Sequence, residues 1–247
     1  MTTVLSKLFN TTGPCNPLDH YMLPTLPRLP EVRHLKNSEE YFVLHAPRQS
    51  GKTTIVKAEV ARIYAVGSYY ALYCSLDELR ATIDVEKAMN KLIGNLYGAL
   101  RISHVDALKR AASDGFLTKL NVLPDFIESP VKVWLRTLCA WLDKDLVIFF
   151  DEADCLRDLV LLSFLSQLRL GYIERPEAPF PRSVALIGMR NIRDYKFQSR
   201  SEPTTFSSSS LCNIISEVLT LANFTEEEIK TLYAQHTEAT GQVFEND

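Results

Sequence analysis

Residues 46–54, APRQSGKTT, constrain this chain more than any other stretch. A bare G-K-T string is a weak signal on its own. Here it has a context. Residues 41–45, YFVLH, are an apolar run of strand length, and after Gly51 the residues Ile55, Val56, Ala58 and Ile63 recur at helical spacing until Gly67 stops them. Strand, tight turn and helix in that order build a phosphate-binding loop, which needs inward backbone N–H groups, a cation for the β- and γ-phosphates and a hydroxyl for Mg²⁺. Gly51 lets the backbone approach, Lys52 supplies the cation and Thr53 the hydroxyl, while the helix that follows aims its positive end at the anion. The usual pattern opens on glycine, and Ala46 stands there; the position calls for a small residue. On this reading Ala46, Pro47, Arg48, Gln49, Ser50, Gly51, Lys52, Thr53 and Thr54 wrap the phosphates of ATP, with Thr53 a ligand of Mg²⁺.

Residues 146–154, LVIFFDEAD, supply the other half of such a site. Asp151 at the C-terminal end of an apolar strand suits the water shell of Mg²⁺, and Glu152 suits a base that polarises an attacking water. Alone, the pair reads as a solvated acidic turn. Together with the phosphate loop it makes an ATP-hydrolysing site in which Glu152 and Lys52 are catalytic. Glu152 argues against small-molecule kinases of the P-loop class, whose nucleophile sits on the substrate. GTPases read their base with N-K-x-D, and the nearest string, LDKD at 142–145, lacks the asparagine. A third feature follows the strand-like SVALIG at 183–188. A cation or amide there would face the γ-phosphate; Arg190 is the first candidate and Asn191 the second, with a surface ion pair to Asp194 the plain alternative.

The remaining segments alternate between the two periods. Five prolines from Pro14 to Pro30 forbid a continuous helix over 10–30, and a short helix is expected from Pro30 with Val32 and Leu35 on one face. Residues 69–75 read as a strand, Asp84 as the cap of a helix facing inward through Met89, Leu92, Ile93 and Leu96, and residues 103–128 as a short helix and a loop. Ser129 and Pro130 read as the cap and first turn of a helix whose inner face is Val133, Trp134, Leu138 and Trp141. Residues 156–172 are expected to be amphipathic, 198–210 a polar loop, and 217–221 a fifth strand. Thr225 and Glu228 form a capping box on a helix that Gly241 ends. Strand–helix alternation implies an α/β fold with a parallel sheet covered on both faces.

Composition excludes several classes. Hydrophobic residues at 46% and charged residues at 23% are ordinary for a globular chain. A net charge of −3 leaves no electrostatic footprint for nucleic acid beyond a small group at Arg190, Arg193 and Lys196. Cysteines 15, 74, 139, 155 and 212 have no C-x-x-C spacing and read as reduced thiols rather than a metal site. Residues 1–9 hold one lysine and no apolar core, so no signal peptide is expected, and no apolar run approaches the roughly 18 residues of a membrane span. A cytoplasmic protein with no membrane contact follows as the expectation. His45 reads as a strand residue beside the phosphate pocket.

The phosphate loop, the D-E strand and the arginine after the fourth strand resemble the STAND branch of the AAA+-like ATPases, and in particular a group of bacterial ATP-binding proteins. The likeness is carried by Asn10, Gly13 and Pro14, by Tyr21-Met22-Leu23-Pro24, by 41–54, by 168–172 and by 186–195, and it spans nearly the whole chain. It implies a five-stranded parallel sheet in the order 5-1-4-3-2, with the strand before Arg190 between the two motif strands. It divides the chain into an arm, 1–40, an ATPase core, 41–222, and the start of a helical lid, 223–247. The arm would line the adenine pocket through Tyr21, Met22, Leu23 and Arg28; simple apolar packing of the arm is the alternative. The family continues into a lid with a Gly-x-Pro signature, absent from 241–247, so the chain reads as truncated.

The expected function is Mg²⁺-ATP binding and slow hydrolysis as a nucleotide-dependent switch answering to a protein effector, with oligomer formation compatible. The alternatives are a nucleic-acid-associated AAA+-type motor or loader and an ATP-binding module without hydrolysis.

Overall fold

Continuous apolar runs are buried on both faces of a parallel sheet, and polar residues are left for its edges. The computed structural model, which describes residues 7–25, 28, 39–103, 105–113, 129–189, 196–197, 206–207 and 212–244, follows that rule. Its main sheet contains β1 (Tyr41–His45), β2 (Tyr70–Ser75), β3 (Leu146–Asp151), β4 (Ser183–Gly188) and β5 (Ile215–Thr220). Every residue of β3 and β4 is buried, while β5, ISEVLT, exposes Ser216, Glu217 and Thr220 and forms an edge. All pairings are parallel, in the order β2-β3-β4-β1-β5, which from the other edge is the expected 5-1-4-3-2.

The helices are α1 (Lys52–Val66), α2 (Val85–Ile102), α3 (Asp106–Ser113), α4 (Pro130–Trp141), α5 (Asp158–Ile173) and α6 (Glu226–Thr240). Because strand side chains alternate, the sheet divides its apolar residues between two cores. Val147, Phe149, Ala185 and Ile187 meet Ile55, Val56 and Ile63 of α1. Ile148, Phe150, Val184 and Leu186 meet α2, α4 and α5 on the other face, through residues such as Leu92, Trp134 and Phe164. Each such large side chain contributes about 1.5–3 kcal/mol when fully buried.

Several local expectations change in three dimensions. Ser129 makes no side-chain cap on α4; the buried Gln167 of α5 does that work, its Oε1 accepting from Val131 N at 2.8 Å. A residue from a neighbouring helix thus satisfies an N–H that has no partner within its own helix. Trp134 is buried, but Trp141, in the last turn of α4, is 37% exposed. Helix α5 is not cleanly amphipathic: Phe164 and Leu168 are buried while Leu159, Leu170 and Ile173 are exposed. Within the expected polar loop, Phe206–Ser207 pairs antiparallel with Lys196–Phe197. The expected helix after Pro30 lies outside the described residues. Helix α6 has the full Thr225–Glu228 capping box and ends at Gly241, as expected, and none of its residues is buried. Among the described residues no helix is long and apolar enough to cross a membrane.

Candidate active site

The C-terminal ends of β1, β2, β3 and β4 open on a cleft of about 540 Å³ lined by residues 47–54, Tyr73, Ser75, Asp77, Arg80, Asp151, Glu152, Met189 and, from the arm, Gly13 and Pro14. Open parallel sheets bind ligands at this end. A second cavity of about 520 Å³ lies at the opposite end of the strands, beside Ser68, Asp145 and Arg182.

The loop from β1 to α1 reverses through left-handed backbone at Gln49 (φ 59°) and Gly51 (φ 85°), so Gly51 occupies a conformation that other residues adopt only at a cost. Ala46 has no positive φ, which explains why alanine serves where the pattern has glycine. It is buried, and its N–H donates to Gly188 O at 3.1 Å. Ser50 Oγ donates to Pro47 O at 2.8 Å and holds the turn closed. Lys52 is buried, with Nζ donating to Ala46 O at 3.2 Å, so the ammonium is folded back under the loop. Thr54 Oγ1 accepts from Cys15 N at 3.0 Å and ties the arm to the start of α1.

The two motifs meet at Asp151. Its Oδ2 accepts from Thr53 Oγ1 at 2.8 Å and from Tyr73 Oη at 2.9 Å, and its Oδ1 accepts from Glu152 N at 2.9 Å. Asp151 is 1% exposed, so these donors compensate the burial of a carboxylate. Burial, and next the charge of Asp151, push the Tyr73 phenol well above its ordinary range and keep it a donor. One hydroxyl and one carboxylate fit Mg²⁺, a hard cation held by few protein ligands together with phosphates and water. Among the described residues no three His, Cys, Asp or Glu side chains gather into an all-protein metal cage.

Glu152 begins the turn after β3 with φ 58°, a strained value for a non-glycine residue. Its carboxylate meets Arg80 at 3.3 Å, and Arg80 is also paired with Asp77 at 2.6 Å. At the end of β4, a side chain on Gly188 would come within 2.8 Å of Asp154 Oδ1. Asp154 therefore closes over β4, and glycine leaves it room.

Tyr21, Met22 and Leu23 are not among the residues lining this cleft. Tyr21 is buried against Phe9 and His236, with ring centroids 5.1 and 5.4 Å away. The Met22 backbone bonds to the Gln235 side chain in both directions, at 3.3 and 2.9 Å, and Leu23 is half-buried. These residues seat the arm on α6 because aromatic and apolar side chains there offer the surface that α6 leaves uncovered. Arg28 links three segments: it donates to Ser50 O (3.1 Å) and Ala222 O (2.8 Å), pairs with Glu228 (3.0 Å) and lies 4.3 Å from the Phe224 ring centroid. Arg190 and Asn191 lie outside the described residues, as do Arg193 and Asp194. Sequence reasoning missed Tyr73 and Arg80; strand alternation puts Tyr73 on the α1 side of the sheet, but only the pairing of β2 with β3 brings it to Asp151.

No protein-family model matches the sequence, and no curated protein matches it. Among solved structures it is similar to the Walker-type ATPase PABY2304 of Pyrococcus abyssi, with 13% identity and a TM-score of 0.57 over 96% of this chain and 63% of that one. Similarity extends to Cdc6p from Pyrobaculum aerophilum (14% identity, 87% of this chain, 47% of that one, TM-score 0.47) and to the ORC2 protein of Aeropyrum pernix (16%, 87%, 50%, 0.45). At TM-scores below 0.5 the latter two add nothing further. The chain spans about 63% of the length of the Pyrococcus protein. At this identity the likeness is one of fold: a five-stranded parallel sheet in an α/β architecture.

Proposed function

We propose that this chain binds Mg²⁺-ATP in the cleft at the C-terminal ends of the strands and hydrolyses it slowly, as a nucleotide-dependent switch of the STAND type. The observation that carries the reading is the 2.8 Å bond between Thr53 and Asp151, which unites the phosphate loop with the acidic strand. Thr53 and Asp151 would hold Mg²⁺, which when bound neutralises phosphate charge. Residues 46–54 wrap the phosphates with backbone N–H groups, and the Lys52 ammonium swings from Ala46 O to the β- and γ-phosphates. Glu152, released from Arg80, orients and deprotonates the attacking water. Arg190, with Asn191 second, follows β4 in the sequence and would meet the γ-phosphate. The arm would supply the wall nearest the adenine, with Gly13 and Pro14 lining the cleft and Tyr21, Met22 and Leu23 holding the arm on α6, which begins the lid. The setting is cytoplasmic, in bacteria, and the partner is a protein effector that shifts the nucleotide state.

The test compares wild type with Glu152→Gln. ATP binding should persist in both, while hydrolysis falls roughly 10²–10⁴-fold in the variant, the usual share of general-base catalysis. Equal hydrolysis by the two would remove Glu152 from the mechanism. Binding without hydrolysis in wild type would leave an ATP-binding module. Turnover stimulated by duplex DNA and suppressed by salt would favour the motor or loader over the switch.

A further inference from the structure

The geometry points to Tyr73 as a positioning residue for the metal: its hydroxyl fixes the Asp151 carboxylate in the orientation that receives Mg²⁺. This rests on the Mg²⁺-nucleotide reading above. Tyr73 pairs with Phe149 across β2 and β3, and Asp151 lies two residues further along the same face. The phenol ring spans that diagonal, a reach open to long side chains on neighbouring strands, and its Oη ends 2.9 Å from Asp151 Oδ2. The same oxygen receives Thr53 Oγ1 at 2.8 Å, so two hydroxyls from different elements converge on one carboxylate oxygen at the cleft. The ring is also held from above, with the Lys57 ammonium of α1 5.3 Å from its centroid.

Three other tyrosines use their hydroxyls differently: Tyr41 Oη donates to Pro181 O and Tyr64 Oη to Ala71 O, backbone partners that serve packing, and Tyr70 Oη donates to the exposed carboxylate of Asp143 at the opposite end of β2, away from the cleft. Tyr73 instead spends its hydroxyl on the carboxylate expected to face the metal. A carboxylate anchored at one oxygen by two donors has little freedom to rotate. Mg²⁺ demands near-ideal octahedral geometry, whereas Ca²⁺ tolerates irregular sites. An orienting donor therefore matters more for Mg²⁺ than for Ca²⁺, a difference that packing alone would not produce.

The experiment measures ADP affinity by calorimetry on the full chain in EDTA, in Mg²⁺ and in Ca²⁺; ADP avoids turnover. Wild type should bind ADP more tightly with Mg²⁺ than in EDTA. Tyr73→Phe keeps the ring and removes the donor, so the Mg²⁺ enhancement should fall about 10-fold, as for residues that orient metal ligands. Its affinity in EDTA should stay within about twofold of wild type, and its Ca²⁺ enhancement should fall less. Tyr73→Leu should lose stability as well, with no further loss of the Mg²⁺ enhancement. An unchanged Mg²⁺ enhancement in Tyr73→Phe, or equal losses for Mg²⁺ and Ca²⁺, would overturn the assignment while leaving the nucleotide site intact. Failure of wild type to bind ADP or ATP in any of the three conditions would overturn it together with the reading it rests on.

Discussion

Replacing Arg28 tests whether the arm, the loop from β1 to α1 and α6 are held as one unit. The Arg28 side chain is 7% exposed and its partner Glu228 is 26% exposed, so their 3.0 Å pair is largely sheltered from solvent. Arg28→Ala removes that pair, the donors to Ser50 O and Ala222 O, and the contact with the Phe224 ring. Hydrogen bonds from a charged donor are worth about 1.5–3 kcal/mol each, and breaking a buried pair costs about 3–5 kcal/mol. These contributions overlap, and Glu228 keeps a partner because its Oε2 still accepts from Thr225 N at 2.9 Å. A loss of about 3 kcal/mol is therefore expected, near the lower bound of the buried-pair range. For a chain of this length each kcal/mol moves the melting temperature by about 2–4 °C, giving a drop of about 6–12 °C. Arg28→Lys retains the charge without the planar fork and should lose about half as much. Urea and thermal denaturation read the stability, and ATP calorimetry reads whether loosening Ser50 spreads to the site. A drop below about 1 kcal/mol in Arg28→Ala, with ATP affinity unchanged, would refute the view of Arg28 as the joint between these segments.

Lys52→Ala should leave the fold intact, since its described bond is to the Ala46 carbonyl, but weaken ATP binding by roughly 100-fold or more by calorimetry, the worth of a charge-assisted phosphate contact. Gln167→Leu should lower the urea midpoint by the equivalent of about 1–3 kcal/mol, because the Val131 N–H at the start of α4 loses its acceptor. Ser129→Ala should change stability by less than about 0.5 kcal/mol; the opposite ranking would show that the serine caps α4 after all.

Features that depend on contiguous residues are legible in the amino-acid order alone. The proposed phosphate loop is nine successive residues whose turn, cation and hydroxyl are all local, and the acidic pair directly follows its own apolar strand. The Thr225–Glu228 box and the stop at Gly241 are local for the same reason, since cap partners sit three residues apart. The apolar runs at 146–150 and 183–188 announced strands. Which distant groups meet depends on how the strands pair and the helices dock. Tyr73 reaches Asp151 across 78 positions and Arg80 reaches Glu152 across 72, both through the parallel pairing of β2 with β3. Gln167 caps α4 from 36 positions away, and Tyr21 meets His236 from 215 away. A tyrosine in a strand has the same local pattern whether its hydroxyl finds a carbonyl, a carboxylate or water. Register and helix docking choose the partner, and both are set by the burial of whole faces rather than by the residues that end up hydrogen-bonded.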